Sequence, residues 1–176
     1  MHDIINKALE IGFTTAIEIK AFDVVPHERI RALCTPEKCS SYGTNHVCPP
    51  GCGSLDKCRE VLGEYEKGLL LQIKYENVDT SSMEVCERLS KEFGQRVIQL
   101  RDTLLAEYPK TLALATGGCR ECEKCTYPEN PCRKPNIRRG SLSAFGIDVG
   151  ELCRKYDTEF AFTEGTLFFT ACMLIK

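Results

Sequence analysis

Apolar residues recur at steps of three and four in four stretches, which predicts four helices. They cover residues 3–11 and 54–67, a long segment after Ser81, and a short one after Asp148, while 26–33 has the pattern of a helical turn. Capping patterns support the last two helices, an S-x-x-E box at Ser81 and its counterpart at Asp148. The long helix has the clearest apolar face: Cys86, Leu89, Phe93, Val97, Leu100, Leu104 and Tyr108, with Pro109 as its predicted end. The short helix has Val149, Leu152, Cys153 and Tyr156 on one face.

Runs rich in β-branched and apolar residues predict five strands, over 14–20, 69–75, 111–115, 160–163 and 166–175. The dipeptide between the last two, Glu164-Gly165, is typical of a tight hairpin. Helices and strands interleave, with one loop after the first strand and another after the third. This order predicts an α+β or α/β fold, with a mixed β-sheet, flanking helices and two cysteine-rich loops. A length of 176 residues fits a single domain over 1–176.

Charge and targeting patterns exclude several classes of protein. The chain has 23 Lys and Arg against 25 Asp and Glu, which gives no electrostatic case for binding nucleic acid or an anionic membrane. Residues 1–12 lack the basic start and apolar run of a secretory signal, and the longest apolar run, near 167–175, is far shorter than the ~18 residues of a membrane helix. We therefore expect a cytoplasmic protein, in which clustered thiols usually bind metal or do chemistry.

The 12 cysteines divide into two groups. Four lie on predicted apolar helix faces or inside an apolar strand, where a free cysteine packs as a small hydrophobic residue: Cys58, Cys86, Cys153 and Cys172. The other eight lie among Pro, Gly, Asn and charged residues, where no apolar face explains them: Cys34, Cys39, Cys48, Cys52, Cys119, Cys122, Cys125 and Cys132. Two loops, 34–53 and 119–135, hold these eight and are the candidate metal sites.

The second loop has the stronger motif, C-x2-C-x2-C-x6-C, formed by Cys119, Cys122, Cys125 and Cys132. Three cysteines at x2 spacing are the first three ligands of the bacterial ferredoxin motif, which binds a [4Fe–4S] cluster. A zinc site is commonly met by two C-x2-C pairs and does not need the third closely spaced thiol. The motif therefore favours a [4Fe–4S] cluster, with Zn as the alternative, and leaves the assignment of Cys132 open.

The first loop is less regular, with the pattern Cys34-x4-Cys39-x8-Cys48-Pro-Pro-Gly-Cys52. The two prolines stiffen the chain directly after Cys48, which suits rigid presentation of a ligand. A second cluster is the prediction here, and its fourth ligand stays open. The candidates are Cys52, His46, Cys132 exchanged from the other loop, and solvent.

These motifs together resemble the "predicted metal-binding protein" family of anaerobic bacteria and archaea, a domain of unknown function. The first part of the resemblance is Cys34, Cys39, Tyr42-Gly43, Asn45 and Cys48-Pro49-Pro50. The second part is Cys119, Cys122, Cys125, Cys132-Arg133 and Pro135, followed by Ser141, Ala144 and Gly146-Ile147-Asp148-Val149. The resemblance implies binding of iron–sulfur or another metal by Cys34, Cys39, Cys48, Cys119, Cys122, Cys125 and Cys132. It implies no settled reaction, and the family pattern does not include Cys52.

Three functions follow from these observations. The first is an electron-transfer or reductive-activation protein with two [4Fe–4S] clusters and a redox partner protein. The second is an enzyme whose first cluster has only three cysteine ligands, so that an open iron binds a small-molecule substrate. The third is a structural zinc protein or metal carrier. We expect the first, because the sequence indicates no substrate, and whether the chain is an enzyme is left open.

Four basic residues follow the second loop: Arg133, Lys134, Arg138 and Arg139. A solvated surface is the default interpretation of such a cluster. The functional alternatives are a docking patch for an acidic redox partner and a positive field that raises the reduction potential of a nearby cluster.

Overall fold

The computed structural model describes residues 1–119, 121–135, 138–161 and 163–176. Its helices are α1 (His2–Ile11), α2 (Glu28–Arg31), α3 (Leu55–Leu62), α4 (Met83–Leu105) and α5 (Val149–Lys155), with a 3-10 turn at Ala21–Asp23. Its strands are β1 (Thr15–Lys20), β2 (Lys67–Glu76), β3 (Thr111–Ala115), β4 (Gly140–Ser141) and β5 (Thr166–Ile175).

The strands form one mixed sheet in the order β1-β2-β5-β3-β4. Its centre is the antiparallel pair β2 and β5, which is in register from Lys67↔Ile175 to Glu76↔Thr166. Strand β1 is antiparallel to β2 at one edge, and β3 is antiparallel to β5 on the other side. The short β4 pairs parallel with β3 at Leu114↔Gly140. A mixed sheet with flanking helices confirms the predicted α+β class.

Both faces of the sheet are covered by helices, because alternate residues of the central strands point in opposite directions. On one face Leu69, Leu71 and Ile73 of β2 pack with the apolar sides of α1 and α4. On the other face Leu70 packs with residues of α3 and α5. Strand β2 therefore reads as a continuous apolar run, which is typical of a strand buried on both faces.

Most predicted elements are present, with shifted ends. The N-cap of α4 is Ser82, whose hydroxyl accepts a hydrogen bond from the N–H of Val85, so the prediction of Ser81 was wrong by one residue. The helix predicted over 54–67 is shorter in the structure, where α3 ends at Leu62 with Gly63 as its C-cap. The residues from Lys67 onward belong instead to β2, which pairs with β1 and β5.

The predicted strand 160–163 differs most from the structure. Residues 160 and 161 have no strand pairing, Phe162 lies outside the described residues, and Thr163 forms an isolated bridge to Thr166. The turn at Glu164-Gly165 is present, with Gly165 at a positive φ of 73°. The structure also contains the two-residue strand β4, which the sequence pattern did not predict.

Candidate metal centre

The first cysteine loop connects α2 to α3, and short backbone hydrogen bonds shape it. The N–H of Cys39 donates to the carbonyl of Thr35 at 3.0 Å. The buried side chain of Asn45 accepts from the N–H groups of Val47 and Cys48, both at 3.0 Å. These contacts form an Asx-type turn that fixes the backbone before Cys48.

The thiols of this loop lie close enough to influence one another's ionisation. Burial raises the pKa of Cys34, and the neighbouring charges of Cys39 and Cys52 raise it further. Burial likewise raises the pKa of Cys48 to about 11, and the charges of Cys39, Cys52 and Cys34 add to this rise. A hydrogen bond with Asn45 acts in the opposite direction and lowers the pKa. Repulsion from neighbouring thiolates thus disfavours ionisation of Cys34 and Cys48 in the metal-free loop, and a bound cation would reverse that effect.

Arg31 supplies positive charge to this group of thiols. Its guanidinium donates to the carbonyl of Ala144, to the carbonyl of Gly53 at 2.5 Å and to the Sγ of Cys58 at 3.9 Å. The Arg31 charge acts against the rise in the pKa of both Cys34 and Cys52. The sequence did not single out Arg31, because nothing in its spacing distinguishes it from the other basic residues of α2.

The second loop brings its four cysteines around one small cavity of about 20 Å³, which is lined by Cys119, Cys122, Cys125 and Cys132 together with His46, Glu121 and basic residues. The cysteines are half-buried. Burial raises the pKa of Cys119, and the Arg139 guanidinium acts in the opposite direction. The motif predicted from sequence is therefore assembled at one place.

A buried ion pair holds this loop against the sheet and α4. Arg139, with only 3% of its side chain exposed, donates to a carboxylate oxygen of Glu121 at 2.9 Å and to the carbonyl of Gly118 at 3.4 Å. A methyl group at Gly94 in the middle of α4 would lie 2.5 Å from an Arg139 nitrogen, so the glycine makes room for this side chain. The interpretation of Arg139 as part of a solvated surface was wrong, whereas Arg133, Lys134 and Arg138 are exposed.

The two cysteine loops contact each other directly. The rings of His46 and Tyr127 meet edge to face with centroids 5.2 Å apart, and the Nε2 of His46 lies 3.5 Å from the hydroxyl of Thr126. A side chain at Gly118 would begin 3.4 Å from the Sγ of Cys48. An open cleft of about 570 Å³ lies between the loops and is lined by Ser41, Thr44, Asn45, Cys119, Cys122, Glu123, Lys124, Cys125 and Tyr127.

The structure separates the candidates for the fourth ligand of the first site. The Sγ of Cys52 lies 4.0 Å from the carbonyl of Ala144, whereas His46 and Cys132 line the cavity of the second loop. Cys153 and Cys172 are buried in the apolar core as predicted, and Cys86 on α4 is half-buried. Cys58 packs in the same core, and it also contacts Cys52 and Arg31, which its position on an apolar helix face did not indicate.

The donor chemistry of both loops fits a thiophilic metal. All twelve cysteines are free thiols, and thiolates select zinc, copper(I) and iron–sulfur clusters over hard cations. Among the residues that the structure describes, no three Cys, His, Asp or Glu side chains converge tightly enough to be ligands of one metal ion. In the same described ranges, no helix is long and apolar enough to cross a membrane.

Comparison with known proteins gives one match. The model of a family described as predicted metal-binding proteins (DUF2284), a domain of unknown function, matches residues 17–175. This range contains both cysteine loops, strands β2 to β5, and β1 from Ile17 onward. No curated protein and no solved structure matches the chain. Because the match spans nearly the whole sequence, the chain belongs to the predicted metal-binding protein family.

Proposed function

We propose that this protein is an iron–sulfur protein that carries two [4Fe–4S] clusters and transfers electrons to a partner protein. The observation that carries the proposal is the arrangement of the thiols. Two groups of cysteines lie in two loops that touch each other: His46 of the first loop contacts Tyr127 of the second, and a side chain at Gly118, next to Cys119, would begin 3.4 Å from the Sγ of Cys48. This arrangement suits two neighbouring redox centres that each carry one electron, and two iron–sulfur clusters would supply such centres.

Specific thiols hold each cluster in this proposal. In the first loop these are Cys34, Cys39 and Cys48, which all lie in the segment between α2 and α3. In the second loop they are the four cysteines that line one cavity, Cys119, Cys122, Cys125 and Cys132. The protein's own contribution is to hold these thiols and to shield them partly from solvent, since most are half-buried.

The sequence motif of the second loop favours a cluster over a single zinc ion. Cys119, Cys122 and Cys125 stand at x2 spacing, as the first three ligands of the bacterial ferredoxin motif do. A zinc site is commonly met by two C-x2-C pairs and does not need the third closely spaced thiol.

Charged residues near the second loop support a partner of acidic character. Arg133, Lys134 and Arg138 are exposed and line the cavity of the four cysteines. An acidic protein surface that docks here would bring its own redox centre close to this loop, and the attraction would weaken as ionic strength rises.

Metal and sulfide analysis of protein purified without oxygen tests the proposal. We expect about eight iron and eight sulfide per chain, from two clusters of four irons each, with a visible charge-transfer band and an EPR signal on reduction. Cys39→Ser and Cys122→Ser should each remove about half of the iron. Cys86→Ser, which changes a half-buried cysteine outside both loops, is the matched control and should keep all of it. Colourless protein with stoichiometric zinc would refute the proposal.

The cleft between the loops favours a second candidate, an enzyme that binds a small substrate at an open iron. The cleft is polar, and the first loop contributes Ser41, Thr44 and Asn45 to its lining, so a substrate bound there would lie beside the loop whose cluster has only three cysteine ligands in this proposal. An open iron acts as a Lewis acid toward an oxygen or sulfur ligand. A change in the visible spectrum when cyanide is added to the intact protein would favour this candidate, and an unchanged spectrum would argue against it.

A further inference from the structure

We propose that His46, a residue of the first cysteine loop, is a positioning residue of the second metal centre. Its imidazole fixes the turn that joins two thiols of that centre, Cys125 and Cys132. The inference rests on the proposed function, since it concerns how the second cluster is held. It makes that centre depend on side chains of both loops, whereas the cysteine motif alone places it in one.

A hydrogen-bonded turn connects Cys125 to Cys132. The hydroxyl of Thr126 donates to the carbonyl of Pro131 at 2.8 Å. The N–H of Asn130 donates to the carbonyl of Thr126 at 2.9 Å. Both bonds lie within the segment that joins the two cysteines, so a displacement of Thr126 would shift the two thiols relative to each other.

His46 holds Thr126 from the first loop. Its Nε2 lies 3.5 Å from the Thr126 hydroxyl. A threonine hydroxyl has one proton, and here that proton goes to the carbonyl of Pro131, so toward the ring the oxygen can only accept a hydrogen bond. The network therefore assigns a proton to Nε2 and makes His46 the donor. A substitute for His46 must offer an N–H group at the same place.

The imidazole is itself held by packing between the two loops. Its ring meets that of Tyr127 edge to face, with centroids 5.2 Å apart and planes at 83°. The tyrosine in turn packs on Gly51 of the first loop, where a methyl group would lie 3.0 Å from the Tyr127 ring and 3.1 Å from the Cα of His46. The glycine thus lets the tyrosine approach the backbone that carries His46.

One turn of the first loop serves both centres. The side chain of Asn45, which is 6% exposed, accepts from the N–H groups of Val47 and Cys48, both at 3.0 Å. This turn carries Cys48, a thiol of the first centre, and also His46, which lines the cavity of the second. Because one short backbone segment carries both groups, order in the first loop is expected to stabilise the second centre as well.

The rate of iron release to EDTA tests this role on the complete protein with both clusters loaded. His46→Phe keeps a ring against Tyr127 and removes the donor. About half of the iron should leave about tenfold faster than from the wild type, the lower end of the cost of losing a group that orients metal ligands, and the rest at the wild-type rate. Adding Cys122→Ser, which removes the second cluster, should abolish the fast phase.

Two further variants separate the hydrogen bond from a merely structural role of the ring. His46→Gln has its amide N–H as many bonds from the backbone as Nε2, so it should restore slow release. Thr126→Val removes the hydroxyl on the other side of the contact, and half of its iron should leave as fast as from His46→Phe. His27→Phe, which removes an imidazole outside both loops, is the matched control and should behave as the wild type.

Other results would overturn the inference. Release from His46→Phe at the wild-type rate would do so, as would equally fast release from His46→Gln. If His46→Phe does not fold, Thr126→Val decides, because wild-type release from it would show that the contact has no role.

Absence of iron from the wild type would instead refute the proposed function. Alkylation of the metal-free chain by iodoacetamide then tests His46 separately, with the modified cysteines identified by mass spectrometry. Cys125 and Cys132 should react faster in His46→Phe than in the wild type, because the turn between them is looser. Equal rates would refute the positioning role.

Discussion

The ion pair between Arg139 and Glu121 is expected to be the main electrostatic support of the second cysteine loop. The two side chains are 3% and 20% exposed, and their charged atoms are 2.9 Å apart. Glu121→Gln keeps the size of the side chain and removes its charge. The change leaves the buried guanidinium of Arg139 without this carboxylate, at a position where water cannot replace it.

The expected loss follows from this burial. Removing one partner of a fully buried ion pair costs about 3–5 kcal/mol, because the remaining charge stays desolvated. Glu121 retains some exposure, so we expect a loss somewhat below that range, about 2–3 kcal/mol of unfolding free energy. For a chain of this length each kcal/mol shifts Tm by roughly 2–4 °C, which gives a fall of about 4–12 °C.

Urea and thermal unfolding of the metal-free protein at neutral pH, followed by circular dichroism, measure this loss. Glu60→Gln is the control, since Glu60 pairs with Lys57 on the surface of α3 and both side chains are mostly exposed. We expect no measurable change there. Glu121→Leu combined with Arg139→Met removes both charges and should recover most of the stability. The reasoning is refuted if Glu121→Gln is as mild as the surface control.

Three further predictions concern stability. Asp148→Ala should lower the unfolding free energy by about 1 kcal/mol, because its carboxylate caps α5, and chemical denaturation checks this. Cys172→Ala should cost about 1 kcal/mol through lost packing, while iron content is unchanged, as metal analysis would establish. Burial opposes ionisation of Asp23, but hydrogen bonds from Lys155 and Tyr156 hold the pKa of this carboxyl below its usual value. Its stabilisation is therefore present above about pH 4 and lost as the pH falls through the lowered pKa, so Asp23→Asn should make unfolding less sensitive to pH between about 5 and 2.

The local sequence pattern was sufficient to predict elements that are stabilised mainly by their own residues, or that bury only one face. Helix α4 contains six of the seven apolar positions predicted for it, since it ends at Leu105 rather than at Pro109 and leaves Tyr108 outside. Five of these positions are buried in the core: Leu89, Phe93, Val97, Leu100 and Leu104. Strand β3 was predicted with its observed limits, because a short apolar run between Pro109 and a glycine pair has few alternatives. The N-cap of α4 was harder to predict, because Ser81 and Ser82 are adjacent and each has a hydroxyl that can accept the capping hydrogen bond.

Elements that depend on a distant partner were missed. Strand β4 has only two residues and forms because β3 offers an edge for parallel pairing. The segment 160–163 has strand-like composition, yet its residues 160 and 161 find no partner strand. Gly94 was the one local signal of the buried Arg139, because a glycine in the middle of a good helix often makes room for another group.

The sequence by itself determined which thiols are the candidates for binding metal and in which two loops they lie, because thiols outside apolar faces and at short spacings have few structural roles. It also determined the apolar faces of the helices and strands. Only the tertiary structure decided that the loops meet and that His46 lines the cavity of the second group of thiols. The physical reason is that the strand order of the sheet and the placement of buried charges such as Arg139 are set by contacts between residues far apart in the chain.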